Sequence, residues 1–152
     1  MLARAIQAKD AGGSRHVERV QYYAAALARQ LELSDLDRQA VEIAALLHDI
    51  GKLAVPGAHP VQTRPLTPDE RKKMQLHAQI GAEIVSAVPF QCPVAPLIRS
   101  HHERWDGMGY PSGLCGEQIL SVRGYSLSSI ASTRSPPSAR AGQPCRRMRR
   151  SA

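Results

Sequence analysis

In the stretch Leu46-Leu47-His48-Asp49-Ile50-Gly51-Lys52, an imidazole and a carboxylate stand side by side at the end of an apolar run, followed by a glycine and a lysine. Neighbours on a helix point about 100° apart, so adjacent side chains that act together must straddle a central object. Imidazole nitrogen with carboxylate oxygen suits Mn, Fe, Co, Ni or Zn. For an isolated pair, a hydrogen-bonded histidine beside a helix-end aspartate is the plainer reading. The rest of the chain overturns it. His16, His77, His101 and His102 also fall where a helical scaffold could aim them inward, and only His59, next to Pro60, reads equally well as plain loop.

The elements that must position these residues are helices. Ser14 can cap a helix over 14–31 whose apolar positions Val17, Val20, Ala24, Leu27 and Leu31 keep three-four spacing, with His16 in its first turn. Ser34 or Asp35 opens a second, carrying Leu36, Ala40, Ile43, Ala44, Leu46 and Leu47, which delivers His48 and Asp49 and is closed by Gly51. Thr67-Pro68-Asp69-Glu70 is a specific helix start, with a cap, a proline at the first position and a capping box. The spacing predicts one helix from there to residue 88, with Met74, His77, Ile80, Gly81, Ile84 and Val85 on one stripe. Gly81 leaves room for another backbone to approach. A helix over 94–102 ends in His101 and His102, and a glycine-rich loop follows from Glu103.

Composition agrees with an all-α fold. Aromatics are scarce (one Trp, one Phe, four Tyr), and small aliphatic residues favour a helical bundle over a β-sandwich. Length suits one domain. Three widely spaced cysteines match neither a zinc ribbon nor a disulfide framework, and no apolar run resembles a membrane span or signal peptide, so a soluble, cytoplasmic protein is expected. The net charge of +7 is unevenly placed: residues 1–120 hold 13 basic and 13 acidic side chains, and residues 121–152 add seven arginines with no Asp, Glu or Lys. Nucleic acid is not the expected partner, because that basic tail has a better explanation below.

Five segments together resemble the HD-GYP family, a branch of the HD-domain metal-dependent phosphohydrolases. They are His16-x-x-Arg19-Val20, His48-Asp49-Ile50-Gly51-Lys52, Leu66-Thr67-x-x-Glu70, His77-x-x-x-Gly81, and His101-His102-Glu103-x-x-Asp106-Gly107-x-Gly109-Tyr110-Pro111. The resemblance implies an HD-domain helical bundle that holds two or three metal ions and hydrolyses cyclic di-GMP to pGpG or GMP. It implies that Asp49 bridges two divalent ions (Fe, Mn or similar), with His16 and His48 on one and His77, His101 and His102 on the other. Such ions lower the pKa of a water for in-line attack and neutralise phosphate charge. Asp49 and Lys52 would then be the catalytic pair, with Lys52 near the scissile phosphate. Tyr110 with the 107–113 loop, Gly109 included, would shape the nucleotide pocket or dock a GGDEF-type partner domain, and Asp106 would fix the loop or border the substrate. Trp105 reads equally well as core or as a base-stacking platform.

Two departures from the family pattern stand out. Gly12 occupies the place of a glutamate that holds a third metal in some members, so two ions are expected. After Ile119 the family continues with a helix bearing a further aspartate ligand, whereas 120–152 is rich in Ser, Arg and Pro and is expected to be a disordered tail. A shifted reading frame would explain it: with permitted codons for residues 127–140, the preceding frame can spell V-V-D-R-F-D-A-L-T-S-E-R-Q, and the coding DNA decides the matter. The expected organisation is a helix end or linker over 1–13, an incomplete HD-GYP-like domain over 14–119 and the tail. Weak or absent turnover follows, because Ser128, Ser129, Ile130, Ala131 and Ser132 offer no carboxylate for the missing ligand. The competing readings are a non-catalytic remnant that binds metal or a partner, and an HD phosphohydrolase acting on another nucleotide.

Overall fold

Small side chains sit where helices cross. Ala24, Ala28, Ala40, Ala44, Ala45 and Ala82 are buried and let backbones approach, while Val41, Leu47, Val85, Val94, Leu97 and Ile98 fill the space between them. Each fully buried aliphatic side chain of that size contributes about 1.5–3 kcal/mol. The computed structural model describes residues 13–55 and 65–120. Its elements are α1 (Gly13–Gln30), α2 (Asp35–Leu47), a 3-10 helix (Ile50–Leu53), α3 (Pro68–Gln75), α4 (His77–Ser86), α5 (Val94–Ser100) and α6 (Glu117–Leu120). No strand occurs among the described residues, only an isolated bridge between Asp106 and Cys115. The expected all-α bundle is what the chain forms: α1 packs on α2, α2 on α5, α5 on α4, and the 3-10 helix lies against α4. No helix among the described residues is long and apolar enough to cross a membrane.

Local signals account for most of the boundaries. Ser34 caps α2, its hydroxyl accepting from Asp37 N at 3.2 Å. The Thr67–Glu70 capping box forms in full, with Glu70 Oε2 accepting from Thr67 N at 2.8 Å and Thr67 Oγ1 from Glu70 N at 3.3 Å. Helix α1 ends where Glu32 takes a positive φ of 52° and Leu33 N reaches back to Ala28 O, burying Leu33.

Three expectations are corrected. Gly13 and Ser14 already lie within α1, so Ser14 is not its cap; a helical glycine costs only about 1 kcal/mol, which the buried Val17, Ala24 and Ala28 outweigh. The single helix expected to residue 88 is broken at Leu76. There the His77 ring bonds Met74 O at 2.7 Å and Leu76 N bonds Lys73 O at 3.1 Å, so the regular ladder is interrupted. The buried face of α4 is accordingly His77, Ala78, Gly81, Ala82 and Val85, with Ile84 exposed. Gly51 does not close α2, which stops at Leu47; it sits in the 3-10 helix pressed against α4. Cys92 is a buried free thiol. The expectations for residues 1–12, His59 and the 121–152 tail lie outside the described residues.

Candidate metal centre

Three of the histidines are placed by one local device. His48 follows the last residue of α2, His77 follows the break between α3 and α4, and His101 follows α5. In each, Nδ1 faces the carbonyl three residues back: Ala45 O at 2.9 Å, Met74 O at 2.7 Å and Ile98 O at 2.6 Å. A carbonyl only accepts, so Nδ1 donates, and the lone pair of each neutral ring is left on Nε2. Helix ends have carbonyls without helical partners, and here they orient imidazoles as the outer shell of a metal site does.

The Nε2 atoms converge on Asp49. Its Oδ1 lies 3.4 Å from His77 Nε2, and its Oδ2 lies 3.2 Å from His48 Nε2 and 2.8 Å from Lys52 Nζ. His77 Nε2 and His101 Nε2 are 3.2 Å apart and deeply buried. With both protons on Nδ1, two lone pairs face each other, an arrangement that a shared cation resolves. Ligand atoms of Asp49, His77, His101 and His102 all lie within 4.8 Å of one another, and this group could hold a metal ion. The His48 ring stands 5.3 Å from His101, and the exposed His16 lies 6.0 Å from His48. Nitrogen and carboxylate donors in this arrangement fit a divalent transition metal. The five inner residues expected from the sequence thus come together, with His16 at the rim.

Electrostatics favour unprotonated ligands. Burial, with the charge of neighbouring histidines, lowers His101 to about 2 and His102 to about 4, and burial lowers His77 as well. Burial by itself would raise Asp49, but the hydrogen bonds and charges of His48 and Lys52 outweigh it and hold the carboxyl well below the usual range. His48 goes the other way: burial lowers it, and the Asp49 carboxylate more than compensates. A stability prediction follows for the metal-free chain. The three lowered histidines contribute fully above their unfolded value of 6.5, and that contribution drains as pH falls toward about 4 for His102 and about 2 for His101. Asp49 adds a loss below its unfolded 3.8, while the raised His48 stabilises at low pH and loses that as pH rises through its folded value. The urea midpoint of chelator-treated protein should therefore fall from pH 7.5 to pH 5; a midpoint that stays level or rises would contradict the lowered set.

The loop after His102 closes over this cluster through a carboxylate whose role the sequence did not suggest. Glu103 is 1% exposed and accepts from Ser112 N at 2.7 Å and Leu114 N at 2.9 Å. The available signal was an acidic residue between two helix-end histidines and a loop full of unpaired N–H groups. Gly109 lies flat on the chain below it, where a Cβ would meet the Arg104 N and come 2.5 Å from Glu103 Cα and 2.6 Å from His102 O. Tyr110 stacks on His102 with ring centres 4.6 Å apart, and burial together with the Asp49 charge pushes its phenol up to about 12. Asp106 is engaged locally, accepting from Arg104 Nε at 3.0 Å and Met108 N at 2.9 Å, so it fixes the loop and is not among the converging ligands. Its carboxyl is held at about 2, chiefly by the Arg104 hydrogen bond. Trp105 is 65% exposed, which removes it from the core. A separate cavity of about 410 Å³ opens between α4, α5 and this loop, but none of the histidines lines it.

A family model for the HD domain matches residues 1–122, most of the chain. The chain belongs to the HD domain family. It is 44% identical over 120 residues to the cyclic di-GMP phosphodiesterase response regulator RpfG of Xanthomonas campestris, covering 78% of this chain and 32% of that protein. It is 37% identical over 113 residues to a cyclic di-GMP phosphodiesterase of Thermotoga maritima, covering 73% and 31%. It is 40% identical over 119 residues to 3'3'-cGAMP-specific phosphodiesterase 3 of Vibrio cholerae, covering 78% and 26%. The chain spans about a third or less of the length of these relatives.

Proposed function

We propose that this HD domain is a phosphodiesterase unit of HD-GYP type that hydrolyses cyclic di-GMP to pGpG or GMP with two divalent ions, Fe, Mn or similar, in the cytoplasm. The observation that carries this reading is one buried carboxylate whose two oxygens face different histidines, Oδ1 toward His77 and Oδ2 toward His48. That is the arrangement a bridging ligand needs. His77, His101 and His102 would complete one position, and His48 and His16 the other. Bound there, divalent ions would supply an activated water and charge neutralisation on the phosphodiester.

The chain's own residues do the rest. Asp49 holds the shared edge of the two positions. Lys52, about a third exposed and beside Asp49, brings a positive charge that can meet a non-bridging phosphate oxygen. Tyr110 keeps its proton at neutral pH and can donate a hydrogen bond, while its ring and His102 form one flat wall. Gly109 and Asp106 would shape the substrate border by holding the loop that carries Tyr110. The exposed Trp105 and Met108 of that loop would offer a GGDEF-type partner domain a contact surface. Turnover is expected to be weak, because Ser128 to Ser132 supplies no carboxylate where the family has its last aspartate.

The 40% identity to a 3'3'-cGAMP-specific enzyme favours one second reading, a different cyclic dinucleotide at the same site. The experiment is metal analysis of the purified chain together with chromatography of cyclic di-GMP and 3'3'-cGAMP after incubation. Bound transition metal with slow cleavage of cyclic di-GMP is the expected result. Preference for 3'3'-cGAMP would establish the second reading, metal without cleavage of either would mark a binding remnant, and no bound metal would remove the reading altogether.

A further inference from the structure

The two edges of Asp49 differ in one respect that the ligand set alone does not reveal. On the Oδ1 side stands His77 Nε2 at 3.4 Å, and Asp49, His77, His101 and His102 offer ligand atoms within 4.8 Å of one another. On the Oδ2 side, a cation is already seated: Lys52 Nζ at 2.8 Å, beside His48 Nε2 at 3.2 Å. Lys52 lies one turn after Asp49 in the 3-10 helix that Asp49 precedes, so the ion pair is local and its stem is partly exposed.

We propose that Lys52 is a built-in placeholder cation at the second metal position, so that the two ions load in order and the second binds only as the ammonium leaves Asp49 Oδ2. The inference rests on the metal-centre reading above and deepens it. An ion entering among Asp49, His77, His101 and His102 meets lone pairs and one carboxylate edge, and displaces no cation. The next ion must approach an oxygen shared with an ammonium, close to a dication already present, with His48 and the rim residue His16 to add among the described residues. Like charges at such separations repel strongly in a partly buried site. Leaving is feasible for Lys52 because its side chain is long and a third exposed, so the ammonium can exchange the Asp49 carboxylate for water. The same movement delivers Nζ to the side where an anionic phosphate would arrive, coupling completion of the centre to readiness for substrate.

The test titrates Mn²⁺ into the chelator-treated full chain and follows free and spin-coupled Mn²⁺ by electron paramagnetic resonance. Wild type is compared with Lys52→Met, which keeps the stem and removes the charge, and Lys52→Arg, which keeps the charge; helical content is checked by circular dichroism. Affinity for the first ion should change by less than about threefold in either variant, while Lys52→Met should bind the second about tenfold more tightly and Lys52→Arg should not. A second-ion affinity in Lys52→Met equal to or weaker than wild type overturns the inference, as does equal tightening of both ions. Stoichiometric uptake of the first ion shows that the metal-centre reading survives such a failure; no uptake by wild type at all brings down both.

Discussion

Asp49→Ala is expected to empty the centre. The carboxylate is the group common to both proposed metal positions, and it is also the partner of His48, His77 and Lys52. Without it, three cationic or cation-seeking groups face one another across a buried space. Losing an outer-shell partner of a metal ligand already costs about 10–100-fold, so removing the shared ligand should lower any cyclic dinucleotide cleavage on the order of 10³-fold or more. Elemental analysis should show loss of bound transition metal in Asp49→Ala, and little change in His59→Ala. Asp49→Asn separates charge from shape: it keeps the volume and one acceptor oxygen, yet should still lose the second ion. Full metal content in Asp49→Ala would show that the histidines assemble a site without it and would falsify the bridging role.

Gly51→Ala is expected to be the most damaging single substitution for stability among the positions discussed. A Cβ there would run into the His77 carbonyl oxygen, come 2.6 Å from Gly81 N and 2.8 Å from His77 C. All three are backbone atoms of α4, so no side chain can swing aside. Either the 3-10 helix or α4 must move, and both carry site residues: Lys52 on one, His77 on the other. Overpacking of this kind costs roughly 3 kcal/mol or more. Gly116→Ala is the control, because a Cβ there meets nothing within 4 Å and the cost is the left-handed conformation at φ +55°, about 1 kcal/mol. Urea denaturation should rank the two clearly, and metal affinity should fall with Gly51→Ala alone. Equal small losses would mean that the contact between the 3-10 helix and α4 yields easily.

The residues of the centre were legible in the sequence because their chemistry and order are local facts. A histidine next to an aspartate, two histidines in a row and a capping box at Thr67 and Glu70 each declare themselves within a few positions. Helices form from interactions between neighbours three or four apart, so the bundle too could be read from spacing and from its wealth of alanine. Folding decided what depends on separated segments meeting. An acidic residue at the head of a loop is visible at Glu103, but which amides its carboxylate binds, those of Ser112 and Leu114 nine and eleven residues on, is settled only by the fold. Gly51 reads as a helix stop in the sequence, and only the approach of α4 shows it as the point where two backbones touch. The break at Leu76 is hidden likewise, because a regular stripe continues through it and only the His77 ring, turned onto Met74 O, competes with the ladder. The sequence could name the histidines; the helix ends, brought together by packing, determined which nitrogen of His48, His77 and His101 faces Asp49.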